Sequence, residues 1–115
     1  MKILALGGSG GMGRFAVHSL IKHPQVESIL VADLNESAAK KFASTLSEKT
    51  SGIGIDVTDK EALERAMNGV DVVINTTGPF FKLAVPILEA AIETKTHYLD
   101  TVSYTHLRAH ETSKH

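Results

Sequence analysis

A doubly wound α/β fold, a parallel sheet with helices on both faces, is predicted by three observations. Short apolar runs alternate with amphipathic stretches along residues 1–101, with little sequence between them. The clearest apolar runs are continuous, as in strands buried on both faces. Five of the nine glycines fall in Gly7-Gly8-Ser9-Gly10-Gly11-Met12-Gly13, directly after the first apolar run, which reads as a strand turning sharply into a helix. Right-handed crossovers then give five strands in the order 3-2-1-4-5, an incomplete sheet of the Rossmann-like class.

Taken in order, Ile3-Leu4-Ala5-Leu6 is the first strand and a helix follows near Gly11 to Lys22. His23-Pro24 stops it, because proline disfavours a helical conformation in the residue before it. Ser28-Ile29-Leu30-Val31-Ala32 is the second strand. Asn35 is the expected N-cap of a helix over Ser37 to Leu46, where Ala38, Ala39, Phe42, Ala43 and Leu46 recur at helical spacing. Gly52 to Val57 reads as the third strand, Thr58-Asp59-Lys60-Glu61 as a capping box opening a helix to about Met67, and Gly69 as its end. Val70 to Asn75 is the fourth strand. Pro86 suits a first helical turn better than a helix interior, which predicts a helix near Val85 to Glu93. Thr96 to Leu99 is the fifth strand.

In such sheets a ligand sits beyond the carboxyl ends of the strands, where the strand order reverses. Gly8, Gly10 and Gly13 satisfy G-x-G-x-x-G: the first glycine for the turn, the second for close approach of a pyrophosphate, the third for packing of helix on strand. The helix that follows aims its free N–H groups at the phosphates, which makes Gly8, Ser9, Gly10, Gly11, Met12 and Gly13 the expected phosphate cradle. Asp33, 20 residues after Gly13, stands where a carboxylate accepts hydrogen bonds from an adenosine ribose. Leu34 and Asn35 supply no arginine for a 2′-phosphate, so NAD is favoured over NADP, while Lys40 and Lys41 keep NADP open. Asp56 and Val57 are candidates to face the adenine, with a structural turn as the equal alternative; Thr76, Thr77 and Gly78 close the group on the other side. The glycines also fit Gly7-x-x-x-Gly11-x-Gly13, the register of short-chain dehydrogenases, but those enzymes need a lysine four residues after a tyrosine. Val102 follows Tyr98 and Arg108 follows Tyr104 at that spacing, which disfavours this register.

Composition sets the limits. At 115 residues the chain is one domain at most and is expected to be part of a larger enzyme. The net charge of −1, with lysine and arginine scattered, gives no electrostatic footprint for nucleic acid or an anionic membrane. Zero cysteines exclude a disulfide framework and a thiolate metal site, and the glycine-interrupted N-terminal run is neither a signal peptide nor a membrane span. A cytoplasmic location is the expectation.

Asp71-Val72-Val73-Ile74-Asn75-Thr76-Thr77-Gly78-Pro79-Phe80, followed after one helix by His97-Tyr98-Leu99-Asp100-Thr101, resembles the saccharopine dehydrogenase family. With the glycine run and Asp56-Val57-Thr58-Asp59, the resemblance covers about residues 1–101 and fits that family's N-terminal cofactor domain. It implies an NAD- or NADP-dependent oxidoreductase acting on a carbon–nitrogen bond of an amino-acid-type substrate, with Thr76 to Pro79 approaching the nicotinamide ribose. A homodimer is left open for the full-length parent. Lys95 departs from the pattern, standing where a C-terminal glycine is usual.

Residues 102–115 break the preceding periodicity and hold three of the six histidines. They resemble a translated adapter tail, so the domain is expected to end at Thr101; the rival reading is a metal site on His106 and His110. No catalytic residue is expected within residues 1–101, and His97 is read as a sheet residue. Beside the dehydrogenase stands a non-catalytic reading, a module that senses NAD(H).

Overall fold

The computed structural model describes residues 1–7, 10–77 and 81–100, without the side chains of residues 12, 81–84 and 100. The chain alternates β1 (Lys2–Leu6), α1 (Gly11–Ile21), β2 (Ser28–Asp33), α2 (Glu36–Leu46), β3 (Thr50–Gly54), α3 (Lys60–Met67), β4 (Val72–Asn75), α4 (Phe81–Thr94) and β5 (His97–Asp100). The strands form one parallel sheet in the order β3-β2-β1-β4-β5, as the alternation predicts.

Continuous apolar strands serve two cores at once. Ile3 and Ala5 of β1 face one layer with Ile29, Val31, Val17, Ala39 and Phe42, while Leu4 and Leu6 face the other with Val73, Leu63, Met67 and Ile87. Successive side chains point to opposite faces, so a strand covered on both sides has no position for a polar residue until it leaves the sheet. The first polar residues at the strand ends, Asp33 and Asn75, therefore arrive together at the carboxyl edge.

Local chemistry moves several boundaries. β3 lies at Thr50–Gly54 rather than 52–57, since its ladder with β2 closes at Asp33 opposite Gly54 and the chain then turns at Asp56. A Cβ on Gly52 would lie 2.5 Å from the backbone carbonyl of Ala39, so glycine lets α2 lie directly on this edge strand. The expected capping box does not form. Asp59 caps α3 by accepting from the Ala62 amide at 3.2 Å, and the Thr58 hydroxyl turns back to Asp56 Oδ1 at 2.6 Å. Asn35 caps α2 as expected, accepting from the Ala38 amide.

The fourth helix corrects the sequence reading. It begins at Phe81, not near Val85, and Pro86 lies inside it. Interior proline costs about 3 kcal/mol, which burial of Ile87, Ala90 and Ala91 against the sheet outweighs. At its end Lys95 adopts φ 57°, and the amides of Lys95 and Thr96 donate to the carbonyls of Ile92 and Ala91. This is the paired C-terminal cap usually built on glycine, formed here by lysine.

Replacing Gly52 with alanine is expected to destabilise the fold by about 1–3 kcal/mol through overpacking against Ala39. Gly11→Ala, where an added Cβ meets nothing within 4 Å among the described residues, should be neutral or slightly stabilising. Urea denaturation of the two variants checks both, and equal midpoints would mean that α2 can shift off β3.

Candidate functional site

The β1–α1 turn is built by glycines with different duties. Gly7 takes the left-handed conformation at φ 76°, donates to the Ala32 carbonyl at 2.7 Å and accepts from the Gly10 amide at 3.1 Å. A Cβ on Gly7 would sit 3.0 Å from Thr76 C, Thr76 Oγ1 and Thr77 N, so the turn meets the end of β4 backbone to backbone. Gly7 thus takes a left-handed step in this turn; Gly8, expected to take the sharp turn, and Ser9 lie outside the described residues. Gly10 is the N-cap of α1, extended and without a side chain to cap with, and α1 has no acidic residue in its first turn. Its neighbours Gly11, Met12 and Gly13 form that turn, Gly11 exposed and Gly13 buried. By contrast α2 and α3 are closed by their own Asn35 and Asp59.

A cleft of about 460 Å³ opens at this edge. It brings together Gly10, Asp33, Asp56, Val57, Thr76 and Thr77 from the sequence-predicted set, and adds Gly7, Leu34 and Thr58. Gly78 lies outside the described residues. A larger groove, about 670 Å³, runs between the β2–β3 face and α3, and only Glu36 and Arg65 bring ionisable groups from helices to it besides Lys2. None of the predicted site residues among the described ones lines it.

Polar contacts divide the lining. Asp56 accepts from the Thr58 amide at 2.9 Å and the Thr58 hydroxyl at 2.6 Å, and these bonds hold its carboxyl below the ordinary aspartate value. Its side chain therefore shapes a turn, which favours the structural alternative for that carboxylate. Asp33 is half-buried at the end of β2, beside Leu34, which is 77% exposed. No lysine or arginine lines the cleft among the described residues. Lys40 pairs with Glu36 at 2.7 Å on the exposed side of α2.

At the other wall, Thr76 donates from both its amide and its hydroxyl to the Leu6 carbonyl, at 2.9 and 2.8 Å. Thr77 donates from its amide at 3.0 Å and its hydroxyl at 2.6 Å to Oδ1 of the buried Asn75, whose Nδ2 donates to the Tyr98 hydroxyl at 3.1 Å. Tyr98, in the strand His97-Tyr98-Leu99-Asp100, has no place in the sequence-predicted site. His97 sits at the amino end of β5, paired with Val72, away from the cleft. Among the described residues no cluster of His, Asp and Glu could hold a metal ion, and His106 and His110 lie outside them. No helix of the described residues is long and apolar enough to cross a membrane.

Comparison with known proteins agrees with this geometry. Yeast (Saccharomyces cerevisiae) saccharopine dehydrogenase, the L-glutamate-forming enzyme, superposes with a TM-score of 0.74 at 26% identity, over 86% of this chain and 21% of that one. Triphenylmethane reductase of Citrobacter sp., solved with NADP(H), shares the fold at a TM-score of 0.70 and 20% identity, over 88% of this chain and 37% of that one. Among curated relatives, eugenol synthase 1 of Petunia hybrida and an isoflavone reductase homologue of Arabidopsis thaliana are each 38% identical over 80 residues. Each match takes in 67% of this chain, which spans about a quarter of the relative's length, 26%. The family model for the saccharopine dehydrogenase NADP binding domain matches residues 3–115, and the chain belongs to that family.

Proposed function

We propose that this NAD(P)-binding domain serves an oxidoreductase that passes hydride between a nicotinamide and a carbon–nitrogen bond of an amino-acid-type substrate, with NAD preferred. The observation that carries the binding mode is the contrast among the glycines. Gly7 is demanded by the fold, whereas Gly10 has an ordinary φ and, among the described residues, a Cβ there would meet the Gly7 carbonyl at 3.4 Å and nothing nearer. Packing among the described residues leaves room for a Cβ at position 10, and an approaching pyrophosphate does not. When bound, the dinucleotide supplies or accepts the hydride. The chain's own part is to cradle the phosphates on the first turn of α1, hold the adenosine ribose at Asp33, and present Thr76 and Thr77 to the nicotinamide half.

The preference for NAD rests on Asp33 and Leu34. A carboxylate at the ribose repels a 2′-phosphate, and Leu34 offers no guanidinium to hold one. A second reading, a reductase of the kind that includes the isoflavone reductase homologue, is supported by the 38% identity to that relative and by the turn glycine being Gly7. It shares the cofactor and differs in substrate. Residues 1–101 are proposed as the domain and 102–115 as a dispensable tail.

NADH should bind the chain measurably by calorimetry, and Gly10→Val should weaken it at least tenfold, beside a stability loss of about 1 kcal/mol from replacing a favoured N-cap residue. Charge-assisted hydrogen bonds to phosphate, about 1.5–3 kcal/mol each, set that scale. No binding of NADH or NADPH at millimolar concentration would end the cofactor reading. Asp33→Ser with Leu34→Arg is expected to shift the NADH to NADPH affinity ratio toward NADPH by on the order of tenfold; an unchanged ratio would mean that Asp33 does not face the ribose. The chain ended at Thr101 should bind NADH as the 115-residue chain does, and neither should turn over saccharopine above a buffer blank. Turnover lost on truncation would overturn both the domain boundary and the assignment of the catalytic groups to other parts of the parent enzyme.

A further inference from the structure

We infer that Tyr98 is a positioning residue, acting through Asn75 to set the Thr76–Thr77 turn for the nicotinamide half of the dinucleotide. This rests on the cofactor reading above and extends it to a residue on the neighbouring strand.

Asn75 ends β4 and is 3% exposed, paired in register with Leu6 of β1 and Asp100 of β5. Its side-chain amide is asymmetric, an acceptor on one side and a donor on the other. The Thr77 amide can only donate, so the turn requires Oδ1 to face it. Nδ2 then faces β5, where the Tyr98 hydroxyl oxygen accepts at 3.1 Å. Phenylalanine at that point would remove this acceptor from the Asn75 amide, and any rotation of the Asn75 side chain in response would release Thr77. Thr76 is tied independently to Leu6, and its neighbour contact with Gly7 is fixed by backbone. The two threonines are thus held from opposite sides, Thr76 by the phosphate-turn strand and Thr77 by the Asn75–Tyr98 pair. Disturbing the second tether moves the part of the cleft next to β4 and β5 and spares the Gly10 and Asp33 end.

That division sets the test, which compares NADH with ADP, a probe that carries the adenosine and pyrophosphate but no nicotinamide. In the 115-residue chain Tyr98→Phe is expected to weaken NADH about five- to tenfold, the scale of one lost buried hydrogen bond, with ADP affinity changed less than about twofold. Thr77→Val should show the same selective loss, Thr77→Ser should retain NADH affinity, and Tyr98→Phe with Thr77→Val should cost no more than the worse single change, because both act on one tether. Equal losses for NADH and ADP would mark Tyr98 as a general stability residue and overturn the inference. So would unchanged NADH affinity in Tyr98→Phe, or, should that variant not fold, an unselective loss in Thr77→Val. If the unmodified chain binds ADP but gains nothing from the nicotinamide half, the positioning role falls while the cradle stands; if it binds neither, the cofactor reading falls first.

Discussion

Direct contact between the Gly7 backbone and the Thr76–Thr77 turn is the constraint on which the rest of the site depends. It brings the ends of β1 and β4 to the same point, and β1 and β4 are the adjacent strands at which the sheet order reverses. A side chain at position 7 would have to displace backbone, because the atoms in its way are Thr76 C and Thr77 N. The hydrogen bonds from Gly7 to Ala32 and from Thr76 to Leu6 then join β1 to both neighbours at their carboxyl ends. The cleft is consequently a property of the central strands, which are buried on both faces, and it inherits their rigidity.

The glycines separate into those the fold requires and those it does not. Gly7 is required by its positive φ and close approach, and Gly52 by the helix lying over it. Gly10 has an ordinary φ at the N-cap, and Gly11, where an added Cβ meets nothing within 4 Å among the described residues, lies in a helix at an entropic cost of roughly 0.5–1 kcal/mol relative to alanine. A stable chain has little reason to carry that cost unless something outside the protein comes close to the backbone there. The first turn of α1, with neither a capping side chain nor a carboxylate, is the matching electrostatic feature: α2 and α3 spend their N-terminal amides on their own residues, and α1 has no such side chain at its N-cap.

Strand order, both cores and the placement of Asp33 and Thr76 were legible in the sequence because they follow from burial and from strand length. A strand covered on both faces is continuously apolar, so its first polar residue marks the carboxyl edge. Features that depend on competition between local bonds were not legible. Thr58 has the spacing of a helix cap but donates to Asp56, leaving Asp59 to cap α3; a three-residue spacing cannot show whether a hydroxyl will accept from a helix amide or donate to a nearby carboxylate. Pro86 misplaced the start of α4 because tertiary burial of Ile87 and Ala90 overrode a local preference. Tyr98 was missed for a different reason: its partner Asn75 is 23 residues away, and only strand pairing brings them together.

The lining of the cleft also shows what kind of work it can do. Its ionisable side chains among the described residues are Asp33 and Asp56, the second held to its acidic side by Thr58. Held so, Asp56 accepts hydrogen bonds in its ionised form and is a poor proton donor near neutral pH. The threonine hydroxyls are committed as donors to Leu6 and Asn75 and do not titrate in that range. What the described residues offer is a shaped, directional hold on a ligand with a polar sugar and an anionic bridge. Positioning of that sort can contribute several kcal/mol to a reaction only when a second surface presents the other reactant. The described lining is therefore that of an NAD(P)-binding domain, in which fixed hydrogen-bonding groups rather than proton donors dominate.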